Sequence, residues 1–381
     1  MSSRVIGQVL RWRWERYQHF SWERSHIRRA AVKPPLAGRA ARARPFPPPR
    51  PGRLQSLRDP PPQRPEDPPL PVPHPAPLRP VPAPSSRPWA GERLGGPGGG
   101  IGELWLAGPG SLVEHEGRTQ TLDGLAAGLG VALVGTRAMA RLGARFPLLV
   151  KLIDAADWLS LQVHPGNALA RELHGPEALG KAEAWLVLDA APGATLISGP
   201  GRDLDAAALR AAIAEGTLGR TGCEERQAVP GETFMLAAGT LHAVGARTFL
   251  YEIEQPSDLT YRVSDWGRPA SADRPLHVAE SLRAVDPRAH AVPAGRNWLL
   301  DGGALRVPEF ALELLHEGPA DRSPAGESLE VVTVVAGSAT LDGDGWSLEL
   351  REWGTAVVPA ATDAYRITGS PESVTCVGSI P

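Results

Sequence analysis

The sequence predicts a mainly β protein: a jelly-roll-like barrel with a helical insertion, a smaller β-domain after it and a disordered tail before it. Three observations predict this. Beyond residue 88, short apolar segments alternate with Pro-Gly, Gly-Gly and Asp-Gly turns, which is the texture of strands in a barrel or sandwich. Helical periodicity is confined to a few stretches. Of the 40 prolines, 21 lie between Pro34 and Pro88, where they fix φ angles and remove backbone donors.

The tail comes first in the chain. Residues 1–87 carry 17 basic side chains against 5 acidic ones, and the remainder carries 23 against 37. A proline-dense basic segment without apolar periodicity reads as extended or disordered chain. Its opening residues interleave Arg with Trp and Tyr, a pattern that reads as a solvated basic tail or as a grip on RNA or an anionic surface. The acidic remainder argues against a nucleic-acid enzyme, because such binding depends on phosphate neutralisation. No stretch approaches the roughly 20 apolar residues of a membrane span. Two distant cysteines, Cys223 and Cys376, exclude a disulfide framework and a CxxC zinc module.

The elements follow in order. Gly95–Gly100 reads as a flexible turn into a strand at Glu103–Ala107, and no preceding strand supports a dinucleotide loop. Leu122, Leu125, Leu129 and Leu133 at helical spacing predict a helix over 120–143. PLLVKLIDA and LSLQVHP read as strands, Asn167–Leu173 as a short helix, and AWLVLDA and TLISG as strands. Leu204–Glu215 reads as a helix capped by Asp203 or Asp205. ETFMLAAGTLHAVG, FLYEIEQ, LEVVTVVAGSATL, WSLELREWGTAVVPAA and YRITG complete the strand pattern.

Chemistry concentrates in the middle of the chain. Gln162 and His164 stand two apart on a strand, so both leave the same face. Glu183 and His242 lie on later strand-like segments, and a barrel can bring all four together. Two imidazoles, a carboxylate and an amide oxygen suit Zn²⁺, with Mn²⁺, Fe²⁺ or Co²⁺ possible. Lysine is rare: only Lys33, Lys151 and Lys181 occur against 37 arginines. The two lysines of the strand-rich part are therefore candidates for sites that need a compact, tunable ammonium, or simple survivors of the bias. Arg262 suits an anion or a developing enolate oxygen, and equally an ion pair with Asp258 or Asp265.

LVKLIDAADWLSLQVHPGN, GKAEAWLVLDAAPGA, PGETFMLAAGTLHAVG and EQPSDLTYRVSDWGR occur in the order of the signature segments of type I mannose-6-phosphate isomerases. From about Trp89 to the C-terminus the chain resembles the short bacterial form of that family. The resemblance implies a cupin core over 88–298 with a helical insertion, and a small metal-free β-domain over 299–381. It implies Zn²⁺ on Gln162, His164, Glu183 and His242, and places Lys181 and Arg262 beside the reacting carbons with Glu252 nearby. It also matches Ser160 and Lys151 to positions that contact the substrate phosphate. The implied activity is interconversion of mannose 6-phosphate and fructose 6-phosphate through a cis-enediolate, by a cytoplasmic enzyme whose partner is a small sugar phosphate rather than nucleic acid or membrane. An Fe²⁺ cupin oxygenase and a non-enzymatic sugar-phosphate sensor are the alternatives. The tail has no counterpart in the family pattern, and Val244 stands where larger members often carry tyrosine.

Overall fold

The computed structural model describes residues 76–269, 271–272, 274–293 and 304–381. The tail up to residue 75 and the expected boundary near residue 298 lie outside the described residues. In chain order the elements are β1 (Ala83–Ser86), β2 (Ile101–Ala107), β3 (Leu112–His115), β4 (Arg118–Thr121), α1 (Leu122–Leu129) and α2 (Val131–Leu142). Then come β5 (Leu149–Ala155), β6 (Leu161–Val163), α3 (Asn167–His174), β7 (Glu183–Ala190), β8 (Thr195–Pro200), α4 (Ala206–Ala214) and β9 (Cys223–Gln227). The barrel closes with β10 (Thr233–Leu236), β11 (Ala243–Val244), β12 (Thr248–Glu254), β13 (Tyr261–Ser264), α5 (Val278–Ala284) and β14 (Val292–Pro293).

A seven-stranded sheet runs in the order β1-β2-β5-β12-β7-β10-β14. Opposite it lie β11-β8-β9 and β13-β6, joined through the Gln162–His242 bridge. Strands β5 and β12 are buried along their whole length, so the large sheet has a core on each face. Alternation divides the two sets. Ile153, Trp185, Val187, Phe234 and Leu250 point inward and pack with Leu196 and Val244 of the facing sheet. Val150, Leu152, Leu186, Tyr251 and Ile253 point the other way and pack with Leu122, Leu133, Phe310, Leu312 and Val331.

The outer face of the smaller sheet is covered by α4 and α5, with Leu209 and Ile213 against Leu161, Ile197 and Tyr261. Residues 304–381 form a five-stranded and a four-stranded sheet packed face to face over Val332, Val334, Leu341, Leu350, Val358 and Ile367. The architecture is the mainly β, cupin-type fold expected.

Three local expectations need correction. The single helix over 120–143 is two helices meeting at Gly130, and Gly135 inside the second has φ 85°. A Cβ at Gly135 would lie 2.4 Å from the Glu327 carbonyl oxygen, so close approach of the Glu327–Ser328 backbone holds this break open. The insertion helix starts at Ala206, and Asp205 alone caps it, accepting from the Ala207 and Ala208 N–H groups. The disorder expected of residues 1–87 does not hold for residues 76–87. Leu78 is buried and exchanges two backbone hydrogen bonds with Val357, and β1 pairs with β2. Prolines allow this because β1 is an edge strand and needs donors on one side only.

Candidate metal centre and its lysine–carboxylate network

The register of the large sheet sets one polar row among apolar neighbours. Lys151 of β5 lies opposite Glu252 of β12, and Glu252 lies opposite Trp185 of β7. Glu254, two residues on, lies opposite Glu183. Period two puts Lys151, Glu252, Glu254 and Glu183 on the inward face, towards β6 and β11.

From the facing sheet come His164, just after β6, and His242, just before β11. The His164 Nδ1–H donates to the Leu259 carbonyl at 2.9 Å, and the His242 Nδ1–H donates to the Thr240 carbonyl at 2.8 Å. Each ring therefore turns an unprotonated Nε2 to the interior. His164 Nε2 lies 3.2 Å from Glu183 Oε2, and His242 Nε2 lies 3.2 Å from Glu183 Oε1. His164 Nε2 and both Glu183 oxygens are buried, and the one donor near them among the described residues besides Gln162 is the Lys181 ammonium, 3.2 Å from Glu183 Oε2. Acceptors converging on one point with no proton between them are what a cation resolves. The donor atoms of His164, Glu183 and His242 lie within 4.8 Å of one another.

Gln162 completes the set by position. Its amide nitrogen lies 3.1 Å from His242 Nε2 and its oxygen 3.4 Å from Ser160 Oγ. Turning the amide over brings the oxygen to the cluster, as a hard ligand requires. The residues present thus fit a divalent ion: two neutral imidazoles, a carboxylate and an amide.

Electrostatics agree. Burial, with Lys181 nearby, lowers the His164 pKa to about 4, and burial also lowers that of His242. Both rings are ready ligands at neutral pH. Burial alone would raise the Glu183 pKa, but the Lys181 ammonium outweighs it and holds the carboxyl well below its usual range.

Behind the cluster lies a chain of ion pairs. Lys181 Nζ contacts Glu183 at 3.2 Å and Glu254 at 2.8 Å, and Lys151 Nζ contacts Glu252 at 2.8 Å and Glu254 at 3.1 Å. All five side chains are at most 5% exposed. The Trp185 indole N–H donates to Glu252 at 2.8 Å, and Lys151 sits over the Trp105 ring. Against the cost of burial, the carboxylates keep both lysines charged and raise their pKa values. Among the acids, burial and the neighbouring Glu252 push Glu254 up, towards the protonated form.

Two expectations change here. The tunable ammonium that the rarity of lysine suggested is, at Lys181, tuned upward, so that it holds its proton more tightly than a free lysine. Lys151, matched by resemblance to phosphate contact, is enclosed by Glu252 and Glu254, so a substrate phosphate would have to displace a buried carboxylate to reach it. Ser160 is likewise buried, beside Gln162.

Arg262 lies opposite Gln162 in the β6–β13 pair, so the two side chains share a face. Asp265 does not pair with it, being taken by Arg268 and Arg274. Instead Arg262 Nη1 donates to the Pro275 carbonyl at 2.8 Å.

Glu254 is the site residue that reading the sequence missed. Its signal is present in FLYEIEQ, where two carboxylates at period two in an otherwise apolar strand must share an inward face. The support for Lys181 also escaped notice. Its N–H donates to Pro165 O, Gln255 Oε1 accepts from Ala182 N–H, and Asn167 Oδ1 accepts from Gly180 N–H. These bonds pin the approach to β7.

Known proteins resemble this part of the chain. Residues 98–180, which contain Lys151, Gln162 and His164, match the model of the phosphomannose isomerase type I catalytic domain. The solved mannose 6-phosphate isomerase of Bacillus subtilis superposes with a TM-score of 0.67 at 25% identity, covering 79% of this chain and 99% of that one. The chain is thus similar to type I phosphomannose isomerases, in sequence over residues 98–180 and in fold over most of its length. Among curated phosphomannose isomerases, that of Streptococcus mutans is 40% identical over 158 residues, 40% of this chain and 48% of its own length. ManA of Bacillus subtilis is 34% identical over 156 residues, 39% of this chain and 49% of its own. The chain thus spans about half the length of these two relatives. A phosphomannose isomerase mutant of Salmonella typhimurium, at 15% identity and TM-score 0.63, shares the fold. No single helix among the described residues is long and apolar enough to cross a membrane.

Proposed function

We propose that the chain interconverts mannose 6-phosphate and fructose 6-phosphate, with one Zn²⁺ held by Gln162, His164, Glu183 and His242. The observation that carries this reading is the convergence of two unprotonated Nε2 atoms on both Glu183 oxygens, with no donor between them and two paired lysines directly behind. A divalent ion there would offset the charge that builds on the sugar oxygens as the proton moves between C1 and C2.

The chain's own residues supply the rest. Arg262, without a carboxylate partner among the described residues, is free to face the oxygens of a cis-enediolate from the side next to Gln162. Lys181 donates a hydrogen bond rather than accepting a proton, because the ionised Glu183 beside it keeps it charged. Glu252 and Glu254 form the proton-handling pair: one carboxyl ionised, its neighbour favoured in the protonated form. Lys151 spaces and fixes these two acids. Ser160, beside the ligand Gln162, remains the candidate for contact with the phosphate end of the substrate. Closely packed sheets on both sides exclude water from the row.

The test is a coupled assay of metal-loaded protein on mannose 6-phosphate, with metal analysis, on wild type and His242→Ala. The variant is expected to lose bound metal and at least a thousandfold in kcat/KM. Retained turnover without metal would reject the site. Oxygen uptake by the Fe²⁺-loaded protein would favour an oxygenase instead.

A further inference from the structure

Strand β13 has a partner on one edge only, since Tyr261–Ser264 pairs with β6 and the register slips between Arg262 and Ser264. On its free edge a single residue does the work of a missing strand. The His277 backbone N–H donates to the Arg262 carbonyl at 2.8 Å, and the Arg262 N–H donates to His277 Nδ1 at 3.1 Å. Two residues earlier, the Pro275 carbonyl accepts from Arg262 Nη1 at 2.8 Å. The segment 275–277 thus takes hold of the backbone donor, the backbone acceptor and the guanidinium of one residue.

No acid among the described residues shares that task. Asp265 is engaged by Arg268 and Arg274, and Arg262 has no ion pair among the described residues. Aim therefore depends on neutral hydrogen bonds. His277 is itself held: it directly precedes α5, its carbonyl accepts from Ser281 N–H, and its ring lies 6.1 Å from that of Tyr261. The Tyr261 hydroxyl in turn meets His174 Nε2 at 2.9 Å. The charged or titratable groups facing the His277 ring are Arg262 from β13, Glu280 from α5 and His174 from α3. Accepting the Arg262 N–H requires an imidazole with its proton on Nε2.

We infer that His277 is the positioning residue that aims the Arg262 guanidinium at the face it shares with Gln162. Its hydrogen bonds among the described residues are with Arg262 and Ser281, so its effect passes through Arg262. For its kinetic consequence the inference rests on the isomerase reading above; the hydrogen bond itself can be measured without it.

The experiment compares full-length, metal-loaded wild type with His277→Ala and His277→Asn on mannose 6-phosphate. Asn is chosen because its side-chain oxygen falls where Nδ1 lies and accepts the same N–H. His277→Ala is expected to lose about 10- to 100-fold in kcat with metal content unchanged, the size seen when a supporting shell is removed. His277→Asn is expected to recover to within about threefold of wild type. Wild-type kcat in His277→Ala overturns the inference, and so does an equal loss in both variants, which would mean a packing role only. If wild type does not turn over this sugar phosphate, the isomerase reading has failed. The ¹⁵N spectrum of His277 and the exchange rate of the Arg262 amide then decide. An Nε2–H tautomer and an amide that exchanges faster in His277→Ala support the inference; an Nδ1–H tautomer overturns it.

Discussion

Acidification of the metal-stripped protein should expose the cost of keeping His164 neutral. In the folded chain its pKa falls from 6.5 to about 4, through burial first and the nearby Lys181 second. Between those two values the unfolded chain binds a proton that the folded chain refuses. Stability from this residue is therefore complete above about pH 6.5 and is lost as the pH falls towards 4. Some 2.5 units of difference at about 1.4 kcal/mol each, less the part not yet titrated at pH 4, comes to about 3 kcal/mol. The perturbation is His164→Asn, whose side-chain N–H can still reach the Leu259 carbonyl but which carries no titrating Nε2. Urea unfolding of both chelator-treated proteins at pH 7.5 and pH 4.2 gives the difference directly. Wild type should lose about 3 kcal/mol more than the variant over that interval. Equal losses would refute the reasoning, since they would mean that solvent reaches the His164 ring and no charge is being refused.

Three more outcomes are expected. Lys151→Met strands Glu252 in a buried row while Glu254 keeps Lys181, so urea unfolding should show a loss of roughly 3–5 kcal/mol. Bound metal, measured by metal analysis, should stay at the wild-type level; a loss below about 1 kcal/mol would show that Glu252 needs no ammonium. Removing residues 1–75 should leave the thermal midpoint and specific activity close to wild type. Removing residues 1–87 takes away β1, the Leu78–Val357 pairing and the Arg87–Glu103 bidentate pair, and should lower the midpoint by several degrees.

Most of the strands, and the convergence of Gln162, His164, Glu183 and His242, were legible because period-two alternation and polar residues in apolar strands are local signals. Gln162 and His164 share a face by spacing alone, and EIEQ carries its two acids on one face by the same rule. Helix ends were less legible. Gly130 and Gly135 break the 120–143 stretch for reasons that lie in the backbone they pack against, and β1 forms because β2 offers an edge.

Residue order by itself determined which side chains could be ligands and which strands could exist, since alternation and turn chemistry act within a few positions. What those side chains are doing was decided in three dimensions. Lys151 and Lys181 are alike in sequence, yet one is locked between Glu252 and Glu254 and the other bridges Glu254 to Glu183, because cross-strand register brings β5, β7 and β12 side by side. The proton balance of that row, and the edge contact that holds Arg262, depend on charges and hydrogen bonds between segments far apart in the chain. Distance and burial fix their strength, and neither is written in any one stretch of sequence.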